Sequence, residues 1–295
     1  MTDRMLRTLL ILAGVFFVIL IVSGSLAAWL GGYFEPGSRE CYLAQSAVQA
    51  LVAFIGTAIV TARLATGKPW IFLGVRQRVS VMPFIGVVIV YLLALPFLNQ
   101  LIYYNTLMTF PSWLEPVESF MRKMEDTNAA VTAVMLHGTS VSALVSGILV
   151  IGVLTGLGEE LLFRGTLQRA LDINPRMGQW AIWIAAFIFS AVHLQFYGFL
   201  PRLLLGAFFG YLLYSTGSIW PGVFAHALNN SIVVASAWLQ QRHPGWPEAE
   251  MLGVATEGFP VAATVSLLLL AGFLIFCYRR FFFIIPNRKP IRYGL

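Results

Sequence analysis

Two adjacent carboxylates, Glu159 and Glu160, stand with Arg164 in the stretch Gly158-Glu-Glu-Leu-Leu-Phe-Arg-Gly165, inside a chain that is 58% hydrophobic and only 11% charged. In such surroundings ionisable groups are costly and face a protein interior or a wet cavity. On a helix Glu160 and Arg164 are four residues apart on one face and able to pair, whereas Glu159 points about 100° away. This reads as a structural pair beside a chemical carboxylate. Further along stand His193, His226, Asn229 and Asn230, with Phe189 four residues before His193.

Glutamate and histidine together can polarise a water, the buried carboxylate accepting its proton and the imidazole orienting its oxygen. His226 and Asn230, also four apart, can donate hydrogen bonds to the oxyanion of a tetrahedral intermediate, an effect of about 3–4 kcal/mol per donor. That chemistry is a peptidase without a covalent nucleophile. No serine or cysteine sits in a nucleophile motif, and Ser190 reads as packing. The same residue types also allow a second arrangement, in which Glu159, His193 and His226 hold one divalent metal ion, zinc by ligand type, whose water attacks. Both arrangements remain open, so the cofactor is either none or one such ion. Taken singly, each residue has a plainer use: a lone histidine in a span packs, Asn230 is helix glue, and a Glu-Glu pair is half of a proton path. Their convergence is what favours catalysis. His137 and His243 fall near loops and rank lower.

The elements that position these residues are membrane spans. Apolar runs of about twenty residues recur along the 295-residue chain, the length needed to cross a bilayer. The fold class is therefore all-α, a polytopic membrane helical bundle of about eight transmembrane helices. They are expected near 9–30, 45–60, 79–101, from about 130 through the carboxylates to Asn174-Pro175, 179–196, 202–214, 223–239 and 259–278. The first run is longer than a signal-peptide core of about 7–15 residues and is kept as a span. Pro96 predicts a kink in the third, the pattern from Trp113 an amphipathic surface helix, and Gly206 and Gly210 a close helix contact in the sixth. One membrane domain results: three spans over 1–128, a core of four over 129–239, and an outer loop, last span and basic tail over 240–295.

With both termini cytoplasmic, Arg4, Arg7, Arg63, Lys68, Arg76, Arg78, Arg164, Arg169 and Arg176 lie inside with the tail residues Arg279, Arg280, Arg288, Lys289 and Arg292. Arg39, Arg122, Lys123, Arg202 and Arg242 lie outside, where the acids Glu248 and Glu250 also fall. This follows the positive-inside rule, and the expected location is the cytoplasmic membrane of a prokaryote. It also accounts for the net charge of +6 without a nucleic acid partner. Cys41 and Cys277 sit at opposite ends of the fold and are not expected to pair. Oligomeric state is not readable.

The spans bring the polar residues to one level. Counting fifteen to eighteen residues each way from Asn174-Pro175 puts Glu159 and Glu160 level with His193, roughly 20–25 Å above the turn. His226 lies about 8 Å into the seventh span, so the two estimates agree only if the hairpin extends about 10 Å beyond the lipid.

The ordered motifs Glu159-Glu160-x-x-x-Arg164, Phe189-x-x-x-His193 and His226-x-x-x-Asn230 resemble those of the CPBP or Abi family, the CAAX prenyl endopeptidases and bacteriocin-processing or immunity proteins. The resemblance spans about 140–238. It implies that Glu159 activates water with His193, that Glu160 pairs with Arg164, and that His226 and Asn230 stabilise the oxyanion. It further implies a membrane-embedded or lipidated, CAAX-like peptide substrate. The absence of a His-Glu-x-x-His pattern favours a metal-free glutamate mechanism. Against the protease stand two alternatives, a proton- or ion-coupled transporter and a non-catalytic immunity or scaffold protein. The clustering of polar residues at one level and the lack of an inverted repeat argue against the first of these.

Overall fold

The computed structural model describes residues 3–174, 176–246, 251–277 and 279. Every regular element among them is helical. The membrane-length helices are α1 (Asp3–Gly31), α2 (Arg39–Thr66) and α3 (Met82–Thr106). An amphipathic helix, α4 (Glu115–Met135), precedes α5 (Val141–Asp172). There follow α6 (Trp180–Ala191), α7 (Phe199–Thr216), α8 (Trp220–Arg242) and α9 (Val261–Cys277). Six helices are long and apolar enough to cross a membrane, and the shorter apolar α6 and α9 complete the expected eight. Tyr278, Arg280, Arg288, Lys289 and Arg292 of the expected last span and tail, with Pro175, Glu248 and Glu250, lie outside the described residues. Cys41 and Cys277 are free thiols.

Helix ends fall where local chemistry stops or starts them. Ser38 and Ser140 accept the Cys41 and Ala143 amides as N-caps, and Gly67 and Gly217, both at φ 71°, close α2 and α7 in the left-handed region. The expected fourth span began near residue 130. It starts instead at Val141, because α4 continues to Met135 and Gly138, at φ 121°, turns the chain before Ser140 caps the next helix. Arg39 ties this turn down by donating to Met135 O, Ala143 O and Ser146 Oγ. At Pro96 the helix loses a donor as expected, and Ser266 of α9 fills the gap by accepting from the Phe97 amide at 3.2 Å and donating to Leu93 O.

Two close helix pairs frame the interior. Helices α5 and α8 run antiparallel, with Gly152 against Ser231 and Gly156 so near Ala227 that an added Cβ would stand 3.2 Å from its amide nitrogen. Helix α7 meets α6 and α5 through Gly206, which faces Ala186, Phe189 and Arg164, and Gly210, which faces Ile182 and Gln168. The glycine pair read from the sequence thus serves contacts within the chain. Near the ends of these helices Arg169, 2% exposed, donates to Ile71 O, Phe72 O and Gly217 O. It locks the single turn Pro69–Phe72 to the α7–α8 connection. From this level Glu160 is nine residues along α5 and His226 nine beyond Gly217, so both climb about 13 Å. The hairpin between α5 and α6 projects past Arg169, which reconciles the two heights.

Candidate active site

The carboxylates sit where α5 widens. Residues Glu160–Gln168 form π-helical turns, continuing from an α-helical turn that ends at Glu159. Such turns are rare and gather at functional sites. Glu160 and Arg164 are wholly buried and pair at 2.6 Å. The guanidinium also donates to Gly206 O and lies between two rings, 4.2 Å from the Phe189 centroid and 5.3 Å from that of Phe209. A buried charge is tolerable only when paired and hydrogen-bonded, which these contacts achieve.

Glu160 has a second partner. His226 Nδ1 lies 2.9 Å from the same Oε1 that accepts from Arg164. A carboxylate paired with arginine accepts, so His226 carries its proton on Nδ1 and turns Nε2 toward Glu159, 3.5 Å from Oε2. Phe209 stacks on this imidazole at 5.1 Å, and Phe189 meets it edge-on.

His193 reaches the same carboxylate from the opposite side, its Nε2 4.0 Å from Glu159 Oε1. It does not lie within a helix as the expected fifth span required: α6 ends at Ala191. The reason is local. His193 Nδ1 donates to Phe189 O at 2.7 Å, capping a carbonyl left over at the helix end, and Leu194 follows at φ 53°, a left-handed conformation that a side chain of this size seldom takes. The resulting tautomer leaves His193 Nε2 without a proton. Phe189 packs edge-on against this ring at 4.9 Å and so touches both histidines.

Glu159 is therefore faced by two imidazole Nε2 atoms that, in neutral rings, carry lone pairs. Three acceptors converging without a donor repel one another unless something bearing protons or positive charge stands between them. A water donating one hydrogen to Glu159 and the other to His193 fits a 4.0 Å separation. The side chain of His193 is 27% exposed and that of Glu159 10%, so the site opens on the His193 side.

Asn230, expected as an oxyanion donor, uses one of its two amide N–H groups in the packing of α8. It lies one turn beyond His226 on α8, donates to Ile151 O at 3.1 Å and accepts from Asn229. The metal arrangement has less support still. Ligands around one tetrahedral zinc at bonds of about 2.0–2.2 Å stand roughly 3.3–3.5 Å apart. The Glu159–His226 distance meets that and the Glu159–His193 distance does not. Among the described residues no group of three or more His, Cys, Asp or Glu side chains is set to hold a metal ion. His137 instead lines a separate cavity of about 640 Å³ between α2 and α5, and His243 stacks on Trp246. Ser190 donates to Phe199 O, a packing role.

Sequence reasoning missed Phe209, which had no signal beyond its place between Gly206 and Gly210. It also missed Arg202, expected among the outer residues, as a neighbour of the site. Arg202 stands in the first turn of α7, close enough for its charge to act on Glu159 and His193.

The fold and site together define a polytopic helical membrane protein with a buried carboxylate–imidazole centre. Residues 141–232 match the Rce1-like family model, described as type II CAAX prenyl endopeptidase Rce1-like. This is the CAAX protease family to which the three ordered motifs point, and the matched stretch contains all of them. The match supports a protease at the general level, in an integral membrane protein. No curated protein and no solved structure matches the chain.

Proposed function

We propose that this protein is an intramembrane endopeptidase that hydrolyses a peptide bond in a membrane-embedded or lipidated, CAAX-like substrate by a metal-free, glutamate-based mechanism. The observation that carries the reading is the facing of Glu159 by two imidazole nitrogens, with an opening beside His193. A water held between Glu159 and His193 loses one proton to Glu159 as its oxygen attacks the carbonyl carbon. The carbonyl π pair becomes the oxyanion, toward which His226 donates from Nε2 in its doubly protonated form, Nδ1–H staying on Glu160. Glu159 then delivers its proton to the leaving amine as the C–N bond breaks. Glu160 and Arg164 act on His226, holding its ring and tautomer. Asn230 orients α8 against α5. The stretch 129–239 is the catalytic core, and the basic inner connections support cytoplasmic termini.

The test is cleavage of a fluorescent farnesylated CaaX peptide by the protein reconstituted in liposomes, with release of the terminal tripeptide read by mass spectrometry. A general base contributes about 10²–10⁴-fold. Glu159→Gln should lose activity on that scale while the protein still folds, and treatment with a chelator should leave the wild-type rate unchanged. Wild-type protein inert toward the peptide, with proton-driven uptake lost in Glu160→Gln, would establish the transporter instead.

A further inference from the structure

Helix α7 carries a single charged side chain, Arg202, at the mouth of the site. Arg202 is half-buried, and a charge withdrawn from water needs polar partners. Its Nη2 donates to Gln195 Oε1 at 2.7 Å and its Nη1 to Gln195 O at 3.3 Å, which leaves three of its five N–H donors for other use. Among the described residues no carboxylate lies within 4.0 Å of it. The other nearby acid, Glu125 of α4, accepts the Tyr197 amide, and Arg122 covers the Tyr197 ring at 4.7 Å. The turn from His193 to Gly198 is thus held by α4 on one side and by the left-handed Leu194 on the other. Arg202 is held in place by a neutral amide, that of Gln195 two residues past His193, a tie that needs no charge, and its charge acts on Glu125 first and on Glu159 next.

A CaaX substrate ends in a free carboxylate by definition. When the bond after the cysteine is cut, that carboxylate lies three residues away, about 10 Å along an extended chain. An arginine fork matches a carboxylate with two parallel hydrogen bonds. We infer that Arg202, set in place by Gln195, receives the C-terminal carboxylate of the peptide, so that the enzyme locates the scissile bond by its distance from the chain end. This rests on the endopeptidase reading, but binding can test it without turnover.

In the Glu159→Gln protein in nanodiscs, a fluorescent farnesylated CaaX peptide should bind about tenfold more tightly as the free acid than as its C-terminal amide. Adding Arg202→Gln should abolish the difference between the two peptides, and adding Arg202→Lys, which keeps the charge and loses the fork, should retain part of it. Equal binding of acid and amide by the Arg202 protein would overturn the inference. So would an equal loss for both peptides in Arg202→Gln, which would mean a structural role. Failure of the wild-type protein to cleave the peptide would sink the endopeptidase reading and leave this binding series to decide Arg202 independently.

Discussion

Two buried arginines five residues apart on α5 have opposite surroundings. Arg164 is paired with Glu160, packed between Phe189 and Phe209, and through Glu160 reaches His226. Arg169 donates to three backbone carbonyls from two connections. One cation belongs to the proposed reaction centre, and the other joins loops that would otherwise leave carbonyls unsatisfied. Burial alone therefore does not separate an arginine of the proposed site from one that joins loops; the class of acceptor does.

Substitutions can separate the two roles. Arg169→Met should have the largest effect on stability, since each buried carbonyl left unsatisfied costs about 1–3 kcal/mol. A loss of several kcal/mol, read as a collapse of thermal stability in detergent, is expected, with Glu159 chemistry disappearing only because the fold does. Arg164→Met should cost about 3–5 kcal/mol by stranding Glu160. The double variant Glu160→Gln/Arg164→Met should regain much of that stability and none of the activity, an outcome that chromatography and peptide cleavage together would show. No recovery in the double variant would mean that the pair's geometry, rather than its charge, holds the helices.

A smaller effect is expected at Gly206. A Cβ there would stand 3.0 Å from Arg164 Nη2 and 3.2 Å from Phe189, so Gly206→Ala should cost about 1–3 kcal/mol by overpacking and lower activity along with it. The smallest belongs to an exposed pair on α4. Glu118 is held below the usual carboxylate range first by the Phe110 amide and then by Arg122. A depressed carboxyl stabilises the fold above its unfolded pKa, and the contribution is lost as pH falls through the folded value. Arg122→Ala should weaken that acid dependence by slightly lowering thermal stability at neutral pH while leaving it unchanged below the unfolded carboxyl pKa, a small effect in a solvent-screened pair.

How much the sequence discloses follows from the same contrast. Charged and titratable residues at helical spacing announce themselves in an apolar chain, so Glu159, Glu160, Arg164, His193 and His226 are legible by type, and hairpin counting places them at one height. Arg169 is illegible because its partners are backbone carbonyls, which every residue has. Phe209 is one of many aromatics in a membrane chain. Spacing places Asn230 one turn beyond His226 but does not reveal that a carbonyl of α5 takes one of its two amide N–H groups. The eight spans are legible from hydropathy, while the early end of α6 depends on one side chain capping its own helix, a contact that no periodicity reveals.

The contact between α5 and α8 has a consequence for biogenesis. Glu160 meets His226 across 66 residues of chain, and Gly156 admits Ala227 at a distance that tolerates no side chain between them. A nascent chain that has delivered α5 and α6 to the membrane but not yet α8 holds Glu159 and His193 without the imidazole that completes the site. On the proposed mechanism, a translation product truncated before Trp220 lacks His226 and has no peptidase activity.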